Sequence, residues 1–231
     1  MNSSLFSLDD LYQIVPKLLE NLPITLGITG ASLVIGLALG LATAILQFNK
    51  RRWLRKFAKA YTDIMRGAPL ALLILLFFYG GKLLLNAAGL EPRSISDTTF
   101  AVLSIAVGMS PYFAEMLRSA WNAVDRGQKE AIQSLNIPYP IGVLRIIFPQ
   151  GLIIALPNFG NLLINLIKMT SLVNIIGIVD IFGRAQKIAQ NSYGAKQVAA
   201  FISVIIIYWA LNVAIYFLTQ RIEKRYRYLL E

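Results

Sequence analysis

The feature that most constrains this chain is a series of apolar runs that approach or exceed the roughly 20 residues a helix needs to cross a bilayer. They extend from about Leu22 to Leu46, Leu70 to Tyr79, Thr99 to Leu117, Gly151 to Ile167 and Val198 to Leu218. Short charged segments separate them, so residues 1–231 read as a single transmembrane domain. Hydrophobic residues make up 56% of the 231, too many for a domain that must keep a polar surface. The fold class is therefore all-α integral membrane, with about five transmembrane helices. Leu172 to Phe182 is apolar but about half a bilayer long and is broken by Gly177 and Asp180, which predicts a half-span or re-entrant piece.

A formal charge of +10 raises nucleic-acid binding as an alternative, and the position of the cations decides against it. Lys50, Arg51, Arg52, Arg55, Lys56 and Lys59 follow the first run directly; Arg221, Lys224, Arg225 and Arg227 follow the last. Basic residues bordering spans mark the cytoplasmic side. The N-terminal segment sets Asp9, Asp10 and Glu20 against Lys17 and lacks a secretory pattern, so the first span is expected to be retained. Five spans then place the N-terminus outside and the C-terminus in the cytoplasm. Phe48 to Ala60 and Trp121 to Gln150 become cytoplasmic loops, and Gly81 to Asp97 and Gly183 to Lys196 outer ones. The chain has no histidine and no cysteine, so Ser110 and Ser171 lack an imidazole base and the carboxylates lack metal-ligand spacing. No catalytic residue, no metal and no cofactor is expected in this chain. An intramembrane enzyme is thereby disfavoured, while a channel or membrane scaffold stays open.

Within the runs, Ser32, Gly36, Gly40 and Ala44 recur every fourth residue and form one ridge of small side chains suited to close helix packing. Asp63, Arg66, Glu115 and Arg118 flank or enter the second and third spans, where an unpaired charge costs ~2.5 kcal/mol or more. Mutual pairing across the two spans is expected, with substrate contact or a state-dependent gate as alternatives. Asn161, Asn165, Lys168 and Ser171 share a face of the fourth span, which predicts a polar stripe turned to the bundle interior, lining a path or joining helices. In the long cytoplasmic loop, Asp125 and Gln128 have the form of an N-terminal cap, Glu130 falls in the first turns, and Asn136 before Pro138 suits a left-handed C-terminal cap. A short amphipathic helix, a turn and a second short helix at the membrane face follow.

The segment from Glu130 to Pro149 resembles the EAA loop of binding-protein-dependent ABC importer permeases. Glu130 and Ala131 match, Asn136 stands at the glycine, Ile146 at the isoleucine and Phe148-Pro149 at the closing pair; Ile132 replaces the second alanine and is bulkier. Arg66-Gly67-Ala68-Pro69-Leu70, Tyr112 to Glu115, Ala155-Leu156-Pro157 and Lys168-Met169-Thr170-Ser171-Leu172 are similar to the polar amino-acid branch, and Lys168 to Gln186 to its cystine-type subgroup. The resemblance implies a multi-pass permease of a bacterial inner or plasma membrane. It further implies that the loop at about 121–150, carrying Asp125, Gly127, Gln128, Glu130, Ala131 and Asn136, holds a coupling helix that docks on a separate ATPase using ATP and Mg. A second permease subunit, identical or not, an external amino-acid-binding protein and membrane lipid complete the implied partners. Asn161, Asn165, Lys168, Met169, Thr170 and Ser171 would line the substrate path. Met169 stands where the family often has Asp or Glu, which favours a neutral or sulfur-containing amino acid, cystine first.

Overall fold

The computed structural model describes residues 7–226; Arg227 of the second basic cluster lies outside the described residues. Nine helices and a separate 3-10 turn, Pro92–Ser94, are described in this span: α1 (Leu8–Leu19), α2 (Leu22–Gln47), α3 (Arg52–Gly67), α4 (Leu70–Ala87), α5 (Asp97–Ala123), α6 (Arg126–Ser134), α7 (Tyr139–Ile176), α8 (Ile181–Asn191) and α9 (Gln197–Tyr226). Of these, α2, α4, α5, α7 and α9 are long and apolar enough to cross a membrane.

Helix α5 is the central post. Its apolar window is 72% buried, against 17–39% in the other four spans, and α2, α3, α4 and α7 all pack on it. The small ridge of α2 makes the closest approach. A Cβ on Gly36 would lie 3.1 Å from the Phe113 ring, and one on Gly40 would lie 2.7 Å from Phe113 Cβ and 2.9 Å from the Ser110 carbonyl. The Ser32 hydroxyl donates to the Val102 carbonyl at 3.2 Å along the same seam. Without bulk on the ridge, backbones approach until dispersion contacts close the gap.

Three predicted boundaries move. Ala68 and Pro69 are extended because proline lacks an N–H and drives the preceding residue out of the helical region. The segment read as a loop up to Ala60 is therefore a separate amphipathic helix, α3. On the far side of that break α4 runs to Ala87 through a π turn at Leu76–Gly80, shortening the outer loop expected at Gly81 to Asp97. The second short helix expected at the membrane face is instead the first turn of α7: Tyr139–Gly142 leads through a π turn, Val143–Ile147, into Phe148–Met169. The wider turn precedes Pro149, whose ring and missing N–H disrupt a regular ladder.

The half-span is also corrected. Leu172 to Ile176 finish α7 as a 3-10 turn, Gly177 at φ 86° ends it, and Ile181 and Phe182 open α8. Glycine adopts that left-handed conformation without a Cβ clash, so α7 ends there and the chain turns into α8, with Asp180 and Ile181 buried. The presumed outer loop Gly183 to Lys196 is mostly α8. It packs with α9 and with α1, whose Ile14 and Leu18 are buried among Ile181, Ala185, Ala199 and Ala200. Ser7 caps α1 by accepting from the Asp9 N–H at 3.2 Å. This helix had no sequence expectation, being too short and polar for a span.

Candidate functional site

At the end of the bundle that carries the basic clusters, α2, α3 and α5 line a half-open polar cavity of about 330 Å³. Its lining is Gln47 from α2, Arg55, Lys59, Thr62, Asp63 and Arg66 from α3, and Glu115 and Arg118 from α5. The wall is fixed by hydrogen bonds. Tyr61 Oη and Ser110 Oγ are 2.6 Å apart, Gln47 Nε2 donates to Thr62 Oγ1 at 3.0 Å, and Thr62 donates to the Ala58 carbonyl at 2.9 Å.

All four charges singled out in the sequence thus meet in one cavity, but their pairing differs from the expectation. Arg118 donates from Nε to Glu115 Oε2 at 3.0 Å and from Nη2 to Oε1 at 2.5 Å. The ion pair closes one turn along α5, not across to α3, because residues three apart on a helix are neighbours. Arg66 stands over the Tyr112 ring, 5.5 Å from its centroid. The sequence reading missed Gln47, Arg55, Lys59 and Thr62. Their signal was present: Arg55, Lys59, Asp63 and Arg66 are spaced four, four and three apart, one face of a helix. With four cations and two carboxylates, the cavity offers both signs of charge and a net positive field.

The short helix α6 forms as predicted in outline. Asp125 Oδ1 accepts from the Gly127 N–H at 2.7 Å, so the cap closes on Gly127 rather than Gln128. Asn136 takes φ 52°, and the Ile137 N–H reaches the Ile132 carbonyl at 3.0 Å, a Schellman closure. Ile132 is 2% exposed, packed with Val124 and Ile147 and pressed on Gly142. Its extra bulk therefore seats α6 on its own chain and leaves Glu130 and Ala131 exposed. Lys129 fixes the other edge, donating to the Trp121 carbonyl at 3.2 Å.

The α7 stripe does not face this chain's own bundle interior. Asn161, Asn165 and Lys168 are exposed, because α5 fills the centre of the bundle and leaves no room for a second polar seam. Thr170 and Ser171 donate to the Ile167 and Lys168 carbonyls at 2.8 and 2.7 Å, and Met169 packs half-buried on the main core.

At the opposite end lies a buried carboxylate that the sequence showed only as a break. Asp180 is fully buried; its Oδ1 accepts from the Gly183 N–H at 2.8 Å and its Oδ2 from the Tyr208 hydroxyl at 3.2 Å. Burial pushes its pKa above the ordinary carboxylate value, while the bonds from Gly183, Phe182 and Tyr208 pull against that rise. Asn21 donates to the Val179 carbonyl at 2.7 Å next to it, so this knot ties α2, α8 and α9.

Comparison with known proteins agrees with this architecture. The family described as binding-protein-dependent transport system inner membrane component matches residues 36–228, and the chain belongs to it. The L-cystine transport system permease protein TcyL of Bacillus subtilis (strain 168) is 32% identical over 95% of this chain and 91% of that one. The arginine transport system permease protein ArtQ of the same organism is 30% identical over 91% of this chain and 93% of its own length. A crystal structure of an amino acid ABC transporter with histidines superposes with a TM-score of 0.81 at 28% identity, covering 95% of this chain and 99% of that one. The inward-facing MetNI methionine ABC transporter, at 20% identity and a TM-score of 0.69, shares the fold. The chain is thus a permease subunit of an amino-acid ABC importer, a transport component rather than an enzyme.

Proposed function

We propose that the cavity between α3 and α5 holds the amino acid in transit, and that α6 transmits ATP-driven movement to it. The observation that carries this reading is the presence of both charge signs in a 330 Å³ polar space between the amphipathic α3 and the spans α2 and α5. An amino acid is a zwitterion: Arg66 or Arg118 suits its carboxylate, and Asp63 or Glu115 its ammonium group. The basic end is the cytoplasmic one, with the N-terminus outside. There the exposed Glu130 face of α6 docks on a separate ATPase that binds ATP and Mg. The exposed stripe of Asn161, Asn165 and Lys168 completes the path against a second permease subunit, since lipid satisfies none of these groups. An external binding protein delivers the amino acid at the opposite end.

Cystine is the leading substrate. Met169 supplies no carboxylate for a cationic side chain, and its polarizable thioether suits sulfur; the similarity to a cystine permease supports the same choice. The test is uptake by the assembled transporter with competing amino acids. Cystine and neutral polar amino acids should compete best, whereas a strong preference for arginine or lysine would overturn the assignment. Glu115→Gln removes one charge-assisted partner, worth about 1.5–3 kcal/mol, and should weaken substrate affinity about tenfold or more. Unchanged affinity would remove the cavity from the path.

A further inference from the structure

We propose that the start of α3 binds the phosphate of an anionic phospholipid in the leaflet at the basic end, between Arg52 and Lys56. Six cations, Lys50, Arg51, Arg52, Arg55, Lys56 and Lys59, fall within ten residues, and none joins an ion pair among the described residues. At 100° per residue α3 sorts them. Arg55 and Lys59 turn to the cavity with Arg66. Trp53, Phe57 and Ile64 form a different face and are 64–65% exposed. Lys56 lies between the two, and Arg52 one turn below it on the cavity side but beyond the residues that line the cavity, the two roughly 10–16 Å below the cavity carboxylate Asp63 at 1.5 Å rise per residue.

Each part of this surface asks for a different part of one molecule. The apolar face needs acyl chains, because a soluble partner that met only the cations would leave Trp53 and Phe57 in water. Tryptophan next to lysine and arginine is the arrangement of a helix seated at the headgroup boundary. Arg51, at the N-cap, supplies no side-chain acceptor to the first turn, so the N–H groups there add to the attraction for an anion. A cation cluster immediately following a span recognises anionic lipid on the same grounds. A zwitterionic lipid would satisfy Trp53 and Phe57 but offers Arg52 and Lys56 a phosphate already offset by its own cation, with no net counter-charge.

The test uses the assembled transporter carrying Trp121→Phe and Trp209→Phe, so that Trp53 is the sole tryptophan of the permease, with the partner subunits' fluorescence subtracted. It is reconstituted in vesicles containing phosphatidylglycerol or phosphatidylcholine with brominated acyl chains. Brominated phosphatidylglycerol should quench Trp53 at the lower mole fraction. In Arg52→Gln with Lys56→Gln that preference should fall about fivefold per charge removed, the factor that ~1 kcal/mol per basic side chain represents, while quenching by phosphatidylcholine stays. Equal quenching by the two lipids, or a preference intact in the double variant, overturns the proposal. Loss of the preference on adding inorganic phosphate would make the free ion the ligand and overturn the lipid assignment. No quenching by either lipid would place α3 against protein and overturn it as well.

Discussion

Gly40→Ala is the sharpest probe of the packing on which the cavity depends. The added Cβ would meet Phe113 Cβ at 2.7 Å, the Ser110 carbonyl at 2.9 Å and the Ala114 nitrogen at 3.1 Å. Two of these atoms are backbone and the third is rooted on it, so no side chain can rotate away. Restoring 3.4 Å contact from 2.7 Å requires α2 to retreat by about 0.7 Å from the central post. Overpacking of this kind costs about 1–3 kcal/mol. Near 2–4 °C per kcal/mol for a chain of this length, the unfolding midpoint should fall by roughly 2–12 °C. Gly30 lies on the same helix with nothing within 4 Å of its Cβ position, and Gly30→Ala should be neutral or gain up to about 1 kcal/mol through lower unfolded-state entropy. The assay is thermal unfolding of both purified variants in one detergent. Equal midpoints for the two would refute the claim that the α2 ridge is in backbone contact with α5.

The ion pair of α5 predicts weak coupling for stability: Glu115 and Arg118 are each more than a third exposed, so a double-mutant cycle on unfolding should return about 0.5 kcal/mol, and several kcal/mol would show that the pair is sealed. Asp180 has a raised pKa, so the stability it contributes is fully present below its unfolded value and is lost as pH rises through its folded value. Asp180→Asn should therefore gain on the native chain as pH climbs from about 4 towards neutrality, and a pH-independent difference in melting temperature would refute the assignment. Glu130→Lys should leave the permease folded, since the side chain is exposed, yet weaken stimulation of ATP hydrolysis by substrate; full stimulation in the assembled complex would remove α6 from the coupling interface.

What the sequence made legible follows from which forces act locally. The spans, the α2 ridge and the caps of α6 depend on run length, four-residue spacing and residues within one turn, and each is where those patterns place it. The boundaries that moved depend on what a helix packs against. The first turn of α7 persists because Gly142 and Ile147 close on Ile132, and α1 exists because α8 and α9 offer its apolar face a surface. The cavity sits between these cases. Its four charges were visible as residues misplaced in apolar surroundings, but which of them would pair turned on rotamers three residues apart on α5.

The exposed stripe carries that argument one step further. Asn161, Asn165 and Lys168 break the apolar pattern of α7 as strongly as Glu115 and Arg118 break that of α5, yet only the latter two are answered within this chain. A central helix against which α2, α3, α4 and α7 all pack leaves no path along α7 through the chain's own core, so an unanswered polar face on a span is a demand for something outside the chain. Lipid cannot meet it and water could do so only along a channel. A second permease subunit applied to α7 satisfies both the hydrogen-bonding groups and the need for a lumen. An Asn161→Leu, Asn165→Leu double variant separates that function from simple insertion: it should reach the membrane at normal levels, because it is more apolar, and fail in uptake. Normal uptake by the inserted variant would show that the α7 face neither lines the path nor assembles it.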